Sequence, residues 1–470
     1  MLPMTTTAGT PDGARTGALG IPGLVIWPPR RVLRAVLGRP LARDVLLLQA
    51  SNFLQKGYGF VFSVAAVRLL GRAGYGDFLS VLSLYQTVNL VGSLGLGQFL
   101  VVPLAQAAAA GKREEVAQAA GYNLKLSALL AVIVLLLALT FGPWLGQTII
   151  LRQDLGDLMR IVALGGIPAV AYNISTTALQ SVRRMRDLAM VENVDIILGR
   201  SLPLLAVVAG WGLPGLLWGT AIGASCSAAH AIYQYRRVAV RHHGFPDLGA
   251  LAREAWRVPF GRYFRFSALA VVDKNVAQFF GQTPVLFLAR WAGAEQVGLF
   301  GIAAKVFTLL HACHGAAAKA FSVRLSQELA RRGAAATRRL FWRITLGWGA
   351  LAAAGAAVLL LLLPVFRWIY GHENLPDWWL VFLFGLLAAK QGLTVSLGSI
   401  FLIMDRVAVN VLAKLPLLAL SLPVGAILVQ RWGATGAAVY QLGAFTAGDL
   451  MYFAILSTPW FWRSGRRGKG

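Results

Sequence analysis

The chain carries nine lysines against 35 arginines, so arginine is its default cation and the placement of lysine is informative. Seven of the nine, Lys56, Lys125, Lys274, Lys305, Lys319, Lys390 and Lys414, fall inside long apolar stretches. Lys125 and Lys319 lie near the ends of those stretches, where a long side chain can snorkel to the headgroups, and Lys414 is intermediate. Lys56, Lys274, Lys305 and Lys390 sit deep within them. A cation facing lipid at the bilayer centre costs at least ~2.5–3.5 kcal/mol. Four would cost on the order of 10 kcal/mol, comparable to the net stability of a whole fold. These four must face either a wet cavity or paired acids. The available acids are Glu192, Asp195, Asp273 and Asp449. Glu192 and Asp195 are three apart and share a helix face, with Arg200 further along the same stretch and able to join their network. Asp273 adjoins Lys274, but neighbours on a helix point about 100° apart. Structural ion pairing therefore stands beside a second chemistry, a cationic cavity for an anionic substrate. The excess of cations over acids in the stretches favours the second.

The elements that must position these residues follow from composition. Of the 470 residues 57% are hydrophobic and 13% charged, where a soluble domain carries roughly 25% charged residues. Apolar runs of about 20 residues, the length that spans ~30 Å of hydrocarbon as a helix, recur throughout. The ten-residue alternation of a membrane barrel is absent. The spacing predicts an all-α polytopic protein with twelve spans near 45–70, 77–105, 123–143, 155–182, 186–209, 212–235, 263–289, 296–322, 339–366, 376–404, 407–430 and 433–457. With the N-terminus inside, 29 basic residues lie on inside segments and five, Arg72, Arg152, Arg290, Arg367 and Arg431, on outside loops. The positive-inside rule then puts both termini in the cytoplasm. It also accounts for the net charge of +25 without a nucleic-acid partner.

Residues 1–44 read as a basic cytoplasmic arm, expected to be disordered, and 461–470 as a basic tail. The basic stretch 236–262 at the midpoint reads as a linker between two six-helix lobes, 45–235 and 263–460. An internal repeat supports that division. Gly71, Gly76 and Phe78 recur as Gly293, Gly298 and Phe300, an offset of 222. Trp211-Gly212 recurs as Trp432-Gly433, and Ser201-Leu202-Pro203 as Ser421-Leu422-Pro423. Six spans per half make the repeat parallel, and such transporters hold substrate between the halves. Gly92, Gly95, Gly97, Gly165, Gly166, Pro168, Pro203 and Pro284 interrupt spans, for close helix packing or for bending. Cys226 and Cys313 lie in apolar runs and offer no disulfide framework. His372, Glu373 and Asp377 read as a solvated loop, with Pro376 as a helix start, and neither a metal site nor a cofactor is expected.

The stretch Leu70-Gly71-Arg72-Ala73-Gly74-Tyr75-Gly76-Asp77-Phe78, followed by Leu94-Gly95-Leu96-Gly97-Gln98, resembles the opening of bacterial polysaccharide-export flippases. These are Wzx-type, O-antigen members of the multidrug/oligosaccharidyl-lipid/polysaccharide (MOP) superfamily, and the resemblance runs over about 45–460. It implies an inner-membrane transporter that flips lipid-linked oligosaccharide, usually linked to polyprenyl pyrophosphate, for surface polysaccharide or lipopolysaccharide assembly. It also implies a central cationic cavity, with a polysaccharide polymerase and glycosyltransferases as neighbouring partners. No catalytic motif transfers with it, so the lysines rest on the charge argument alone. Two other readings remain. A cation-coupled drug antiporter of the same superfamily needs embedded carboxylates; the first span offers Lys56 instead, while Glu192, Asp195 and Asp449 keep that reading open. A membrane enzyme acting on lipid-linked sugars needs an outside site that the short Gly71–Gly76 loop cannot hold.

Overall fold

The computed structural model describes residues 40–92, 96–241, 244–259, 275, 278–404 and 407–462. Residues Leu46–Gly470 form one compact body, and residues Met1–Val45 a separate unit that enters the described chain at Pro40. The arm before Pro40, Lys274, Asp273 and the tail after Trp462 lie outside the described residues.

The described chain is almost wholly helical and has no strand. Among the described residues five runs are long and apolar enough to cross a membrane by length and composition, namely Arg113–Ile150, Gln153–Ser181, Met185–Val240, Arg331–Leu361 and Pro416–Ser457. Several sequence spans merge into single long helices with a sharp turn inside. Pro40–Gly92 turns at Gly71, Thr308–Leu361 at Gly333 and Val407–Ser457 at Gly433. Other spans divide further than their hydropathy suggests. The stretch 155–182 breaks at Gly165 into Gln153–Leu164 and Gly166–Ser181. The stretch 376–404 breaks after Thr394, before Leu397–Ile403. Periodicity locates the apolar mass but not the single residue at which a backbone turns.

Three pairs of left-handed turns repeat with the sequence period. Gly71 has φ 71° and ψ 176°, and its counterpart in the repeat, Gly293, has φ 86° and ψ 172°. Gly212 (φ 56°, ψ −144°) and its counterpart Gly433 (φ 51°, ψ −129°) match in the same way. Gly111 and Gly333, separated by the offset that separates Gly71 from Gly293, both have positive φ. Glycine adopts these conformations without the Cβ clash that other residues meet, so the residue type and the turn recur together.

The midpoint stretch, expected as a linker, contains a ten-residue helix, Leu248–Arg257. Asp247 accepts a hydrogen bond from the Ala250 N–H at 2.7 Å, an N-cap. Leu251 and Ala255, one turn apart, are buried against the Arg113–Ile150 helix. Tyr235 donates its hydroxyl to Pro246 O at 2.6 Å, and Lys125 donates to Val258 O at 3.0 Å.

The apolar core is distributed unevenly. The largest cluster joins both halves and surrounds the Gly71 and Gly293 turns, with Phe62, Tyr75 and Phe78 from the first half and Phe300, Tyr370 and Phe384 from the second. Two further clusters each belong to one half. One, around Leu104, Tyr122 and Tyr235, lies wholly before residue 260. The other, around Leu325, Phe341 and Phe401, lies wholly after residue 320. Burial of apolar surface is the main cohesive term, so the halves are joined tightly at the Gly71 end. Polar ties reinforce that end. Arg68 donates to Ile369 O at 2.8 Å and Trp368 O at 3.0 Å, Ser63 and Tyr370 share a hydrogen bond at 2.8 Å, and Arg290 donates to Ile149 O at 3.1 Å.

At the centre of this junction two glycines let backbones touch. A Cβ on Gly76 would collide with the Ala294 carbonyl, and one on Gly298 with the Arg72 carbonyl. Arg72 and Ala294 are repeat counterparts, as Gly76 and Gly298 are, at the same offset. The contact is therefore reciprocal, as a two-fold axis would generate.

Candidate functional site

Three cations from three helices converge below the apolar junction. Counted in helical turns, Lys56 lies roughly four before Gly71, Lys305 roughly three after Gly293 and Arg200 roughly three before Trp211. At ~1.5 Å per residue all three sit roughly 16–22 Å from the same end of the molecule, near mid-depth for a ~30 Å hydrocarbon layer. Lys305 has Arg200 and Lys56 as the charged groups acting on it. Lys56 is exposed, and Lys305 and Arg200 are half-buried. Two of the cations belong to the first half and one to the second.

Their positions are set by packing on each helix. The Arg200 guanidinium lies 4.8 Å from the Phe62 ring centroid, a cation–π contact, and acts on Tyr75 and Asp195. Phe62 is 4% exposed and packs on Phe78, so the plane that carries Arg200 belongs to the apolar junction itself. The helix of Lys56 is held against the helix of Arg200 by three side-chain hydrogen bonds. Ser51 donates to Asn193 at 2.6 Å, Tyr58 and Ser201 share one at 2.6 Å, and Gln55 donates to Glu192 at 3.5 Å. Glu192 and Asp195 are both half-buried on that second helix. They act on Tyr172, and Asp195 also faces Ser227.

Of the lysines expected to line a cavity, Lys56 acts on Lys305, and Lys390 has a carboxylate partner. Lys390 forms an ion pair with Asp449, and its ammonium lies 5.3 Å from the Phe445 ring centroid. Both side chains are mostly covered, at 15% and 16% exposure, so the pairing offsets the cost of burying either charge. Lys390 thus takes the ion-pair alternative. Lys414 is half-buried on the Val407–Ser457 helix, and Lys274 and Asp273 lie outside the described residues. Removing one member of a buried pair strands the other charge and costs ~3–5 kcal/mol, whereas replacing both by apolar residues is near neutral. Asp449→Leu should therefore lower the thermal midpoint of the detergent-solubilised protein markedly, and Lys390→Met/Asp449→Leu should return most of it. A double variant as unstable as the single one would refute a purely structural pair.

Sequence reasoning passes over two histidines. His311 lies within electrostatic reach of Lys56 and Lys305, and its ring centroid is 6.1 Å from that of His314. His314 is buried, with its Nε2 3.0 Å from Ala388 O, and its Nδ1 accepts from Trp348 Nε1 at 3.1 Å. Since Nδ1 accepts, Nε2 carries the proton and donates. The signal available is their spacing, three apart on one face of an apolar run. Arg200 is visible in the sequence, but there it groups with the acids on its own helix. Among the described residues no group of His, Cys, Asp and Glu could hold a metal ion.

The arrangement sets cations from both halves at one depth, and the halves are fastened at one end. Residues 41–321 match the family model for "Polysaccharide biosynthesis protein". No curated protein matches the chain. Among solved structures, the lipid II flippase MurJ in an inward closed conformation is similar over 88% of each chain, at 12% identity and a TM-score of 0.64. An inward-facing multidrug resistance MATE family transporter of the MOP superfamily is similar over 86% of this chain and 94% of its own, at 15% identity and a TM-score of 0.59. A MOP superfamily transporter from Pyrococcus furiosus, described as having a binding pocket of reverse polarity, is similar over 90% and 98%, at 13% identity and a TM-score of 0.58. At these identities the likeness is one of fold.

Proposed function

The chain belongs to the polysaccharide biosynthesis protein family, and from that premise we propose that it is a flippase for lipid-linked oligosaccharide. Its substrate is an oligosaccharide on a polyprenyl pyrophosphate, carried across the bacterial inner membrane by alternating access for surface polysaccharide assembly. Both termini lie in the cytoplasm, and two parallel six-helix lobes flank the cavity.

The observation that carries this reading is the meeting of Lys56, Arg200 and Lys305 from both halves at mid-depth. Arg200 and Lys56 each repel Lys305, and a multivalent anion would relieve that repulsion. A pyrophosphate offers such an anion on a headgroup that can enter the cavity while its polyprenyl tail stays in lipid. Two of the three groups are ammoniums, compact point charges that do not grip bidentately as an arginine fork does. That suits a carrier that must release what it binds. His311, beside both lysines, adds a further donor at the same site. The similarity to MurJ, a flippase by its own description, supports a lipid-borne substrate.

A hydrogen bond to a charged partner contributes ~1.5–3 kcal/mol. Lys56→Ala should therefore weaken binding of a polyprenyl pyrophosphate to the purified protein by about ten- to a hundredfold. It should also reduce surface polysaccharide at unchanged protein abundance, and Lys56→Arg should recover part of both. Unaltered binding and export in Lys56→Ala/Lys305→Ala would remove the basis of the assignment. The antiporter alternative draws on the MATE likeness and on the embedded Lys390–Asp449 pair. Transport coupled to a cation and abolished by Asp449→Asn, with no loss on changing Lys56, would favour it.

A further inference from the structure

At the far end of the second half, away from the central cations, a cavity of about 780 Å³ is lined by Ala335, Arg338, Arg339, Trp342, Pro459 and Trp462. We propose that it binds the phosphate ester of an anionic phospholipid headgroup from the adjacent leaflet.

Depth places the cavity at headgroup level. Arg338 precedes Leu361 by roughly six and a half turns of one continuous helix, roughly 35 Å along it, just beyond a hydrocarbon layer of ~30 Å. Ser457 lies a similar distance beyond the Gly433 turn on the neighbouring helix, roughly 36 Å by the same rise. Both helices therefore leave the hydrocarbon where the cavity opens, on the side that the charge asymmetry assigns to the cytoplasm.

The walls combine aromatic faces with two guanidiniums. Trp462 is buried, and its indole N–H donates to Leu456 O at 2.6 Å, so it presents only a ring face. Trp342 packs on Phe453 with ring centroids 5.4 Å apart. Arg338 and Arg339 are both exposed. One nitrogen of Arg338 reaches the Ser457 carbonyl at 3.5 Å, which steadies the guanidinium and leaves its other donors to the cavity. No carboxylate is among the lining residues. Two guanidiniums offer bidentate forks matched to a phosphate. Tryptophan at the membrane–water boundary suits the glycerol and upper acyl region beside it. The volume exceeds what a bare phosphate fills, which favours an ester with its glycerol.

The test uses native mass spectrometry of the full-length protein in detergent, titrated separately with phosphatidylglycerol, phosphatidylcholine and inorganic phosphate. The wild type should retain phosphatidylglycerol in preference to phosphatidylcholine. Arg338→Gln/Arg339→Gln should weaken that retention tenfold or more. Ala335→Trp, which fills the cavity and keeps both arginines, should weaken it as well and guards against a charge effect elsewhere on the surface. Binding of inorganic phosphate alone, lost in the same variants, would keep the phosphate chemistry and overturn the leaflet as its source. Equal retention of phosphatidylglycerol by the wild type and both variants, or of the two lipids by the wild type, would overturn the proposal. Binding is read without transport, so the outcome is independent of the flippase assignment.

Discussion

Lys305→Glu should abolish export of lipid-linked sugar while leaving a folded protein in the membrane. Arg200 and Lys56 both act on Lys305, and a carboxylate there would be attracted to both. Two unit charges about 6 Å apart interact by ~3 kcal/mol at an effective dielectric near 20. Neutralising Lys305 removes one such attraction to the substrate, a loss of about a hundredfold at ~1.4 kcal/mol per tenfold. Reversal replaces attraction by repulsion and roughly doubles the free-energy change. Lys305→Met should thus retain weak transport, Lys305→Arg substantial transport and Lys305→Glu none, measured as surface polysaccharide and as headgroup translocation in proteoliposomes. Lys390→Met/Asp449→Leu, which touches a charge pair elsewhere, should transport normally. Full activity in Lys305→Glu would show that substrate charge is not read at this site.

The second large effect is mechanical. The Gly76–Gly298 approach is backbone against backbone, so a side chain placed there has nothing flexible to displace. Gly76→Val should hold the two halves apart at the Gly71 end and bias the protein away from the closed arrangement. Overpacking costs ~1–3 kcal/mol and occasionally more, and each ~1.4 kcal/mol moves a two-state equilibrium tenfold. The readout is a cysteine at Ser201, beside Tyr58, in a Cys226→Ala/Cys313→Ala background. A membrane-impermeant maleimide added from the Gly71 side should label it slowly in the parent and rapidly with Gly76→Val, and export should fall to background. Equal labelling and normal export would show that this junction does not gate the cavity.

Much of this is legible in the sequence, and the reasons differ by residue. Lys56 and Lys305 stand out because deep lysines in apolar runs are costly, and the structure brings them together. The pairing of Lys390 with Asp449 stays open in the sequence because the two lie on different helices, far apart along the chain. Only tertiary packing decides which of several embedded acids a lysine meets. Arg200 groups with Glu192 and Asp195 through proximity in the chain. It lies five residues past Asp195, about 140° round the helix, and it turns its charge to Lys305 as well. The Leu248–Arg257 helix escapes reading because Gly244-Phe245-Pro246 signals a loop, and its short apolar face shows only against the helix it covers. His311 and His314 carry too little pattern on their own.

The recurring left-handed turns also bear on how the chain has changed over time. The spacing from Gly71 to Gly111 equals the spacing from Gly293 to Gly333, position for position. The spacing from Gly111 to Gly212 differs by a single position from that between Gly333 and Gly433. Side chains between these points have diverged almost beyond recognition, yet the lengths have barely moved. If the halves descend from one duplicated segment, substitutions have accumulated freely while insertions and deletions have been refused. A single added residue would rotate every later side chain on its helix by about 100° and carry Gly76 or Gly298 off the shared axis.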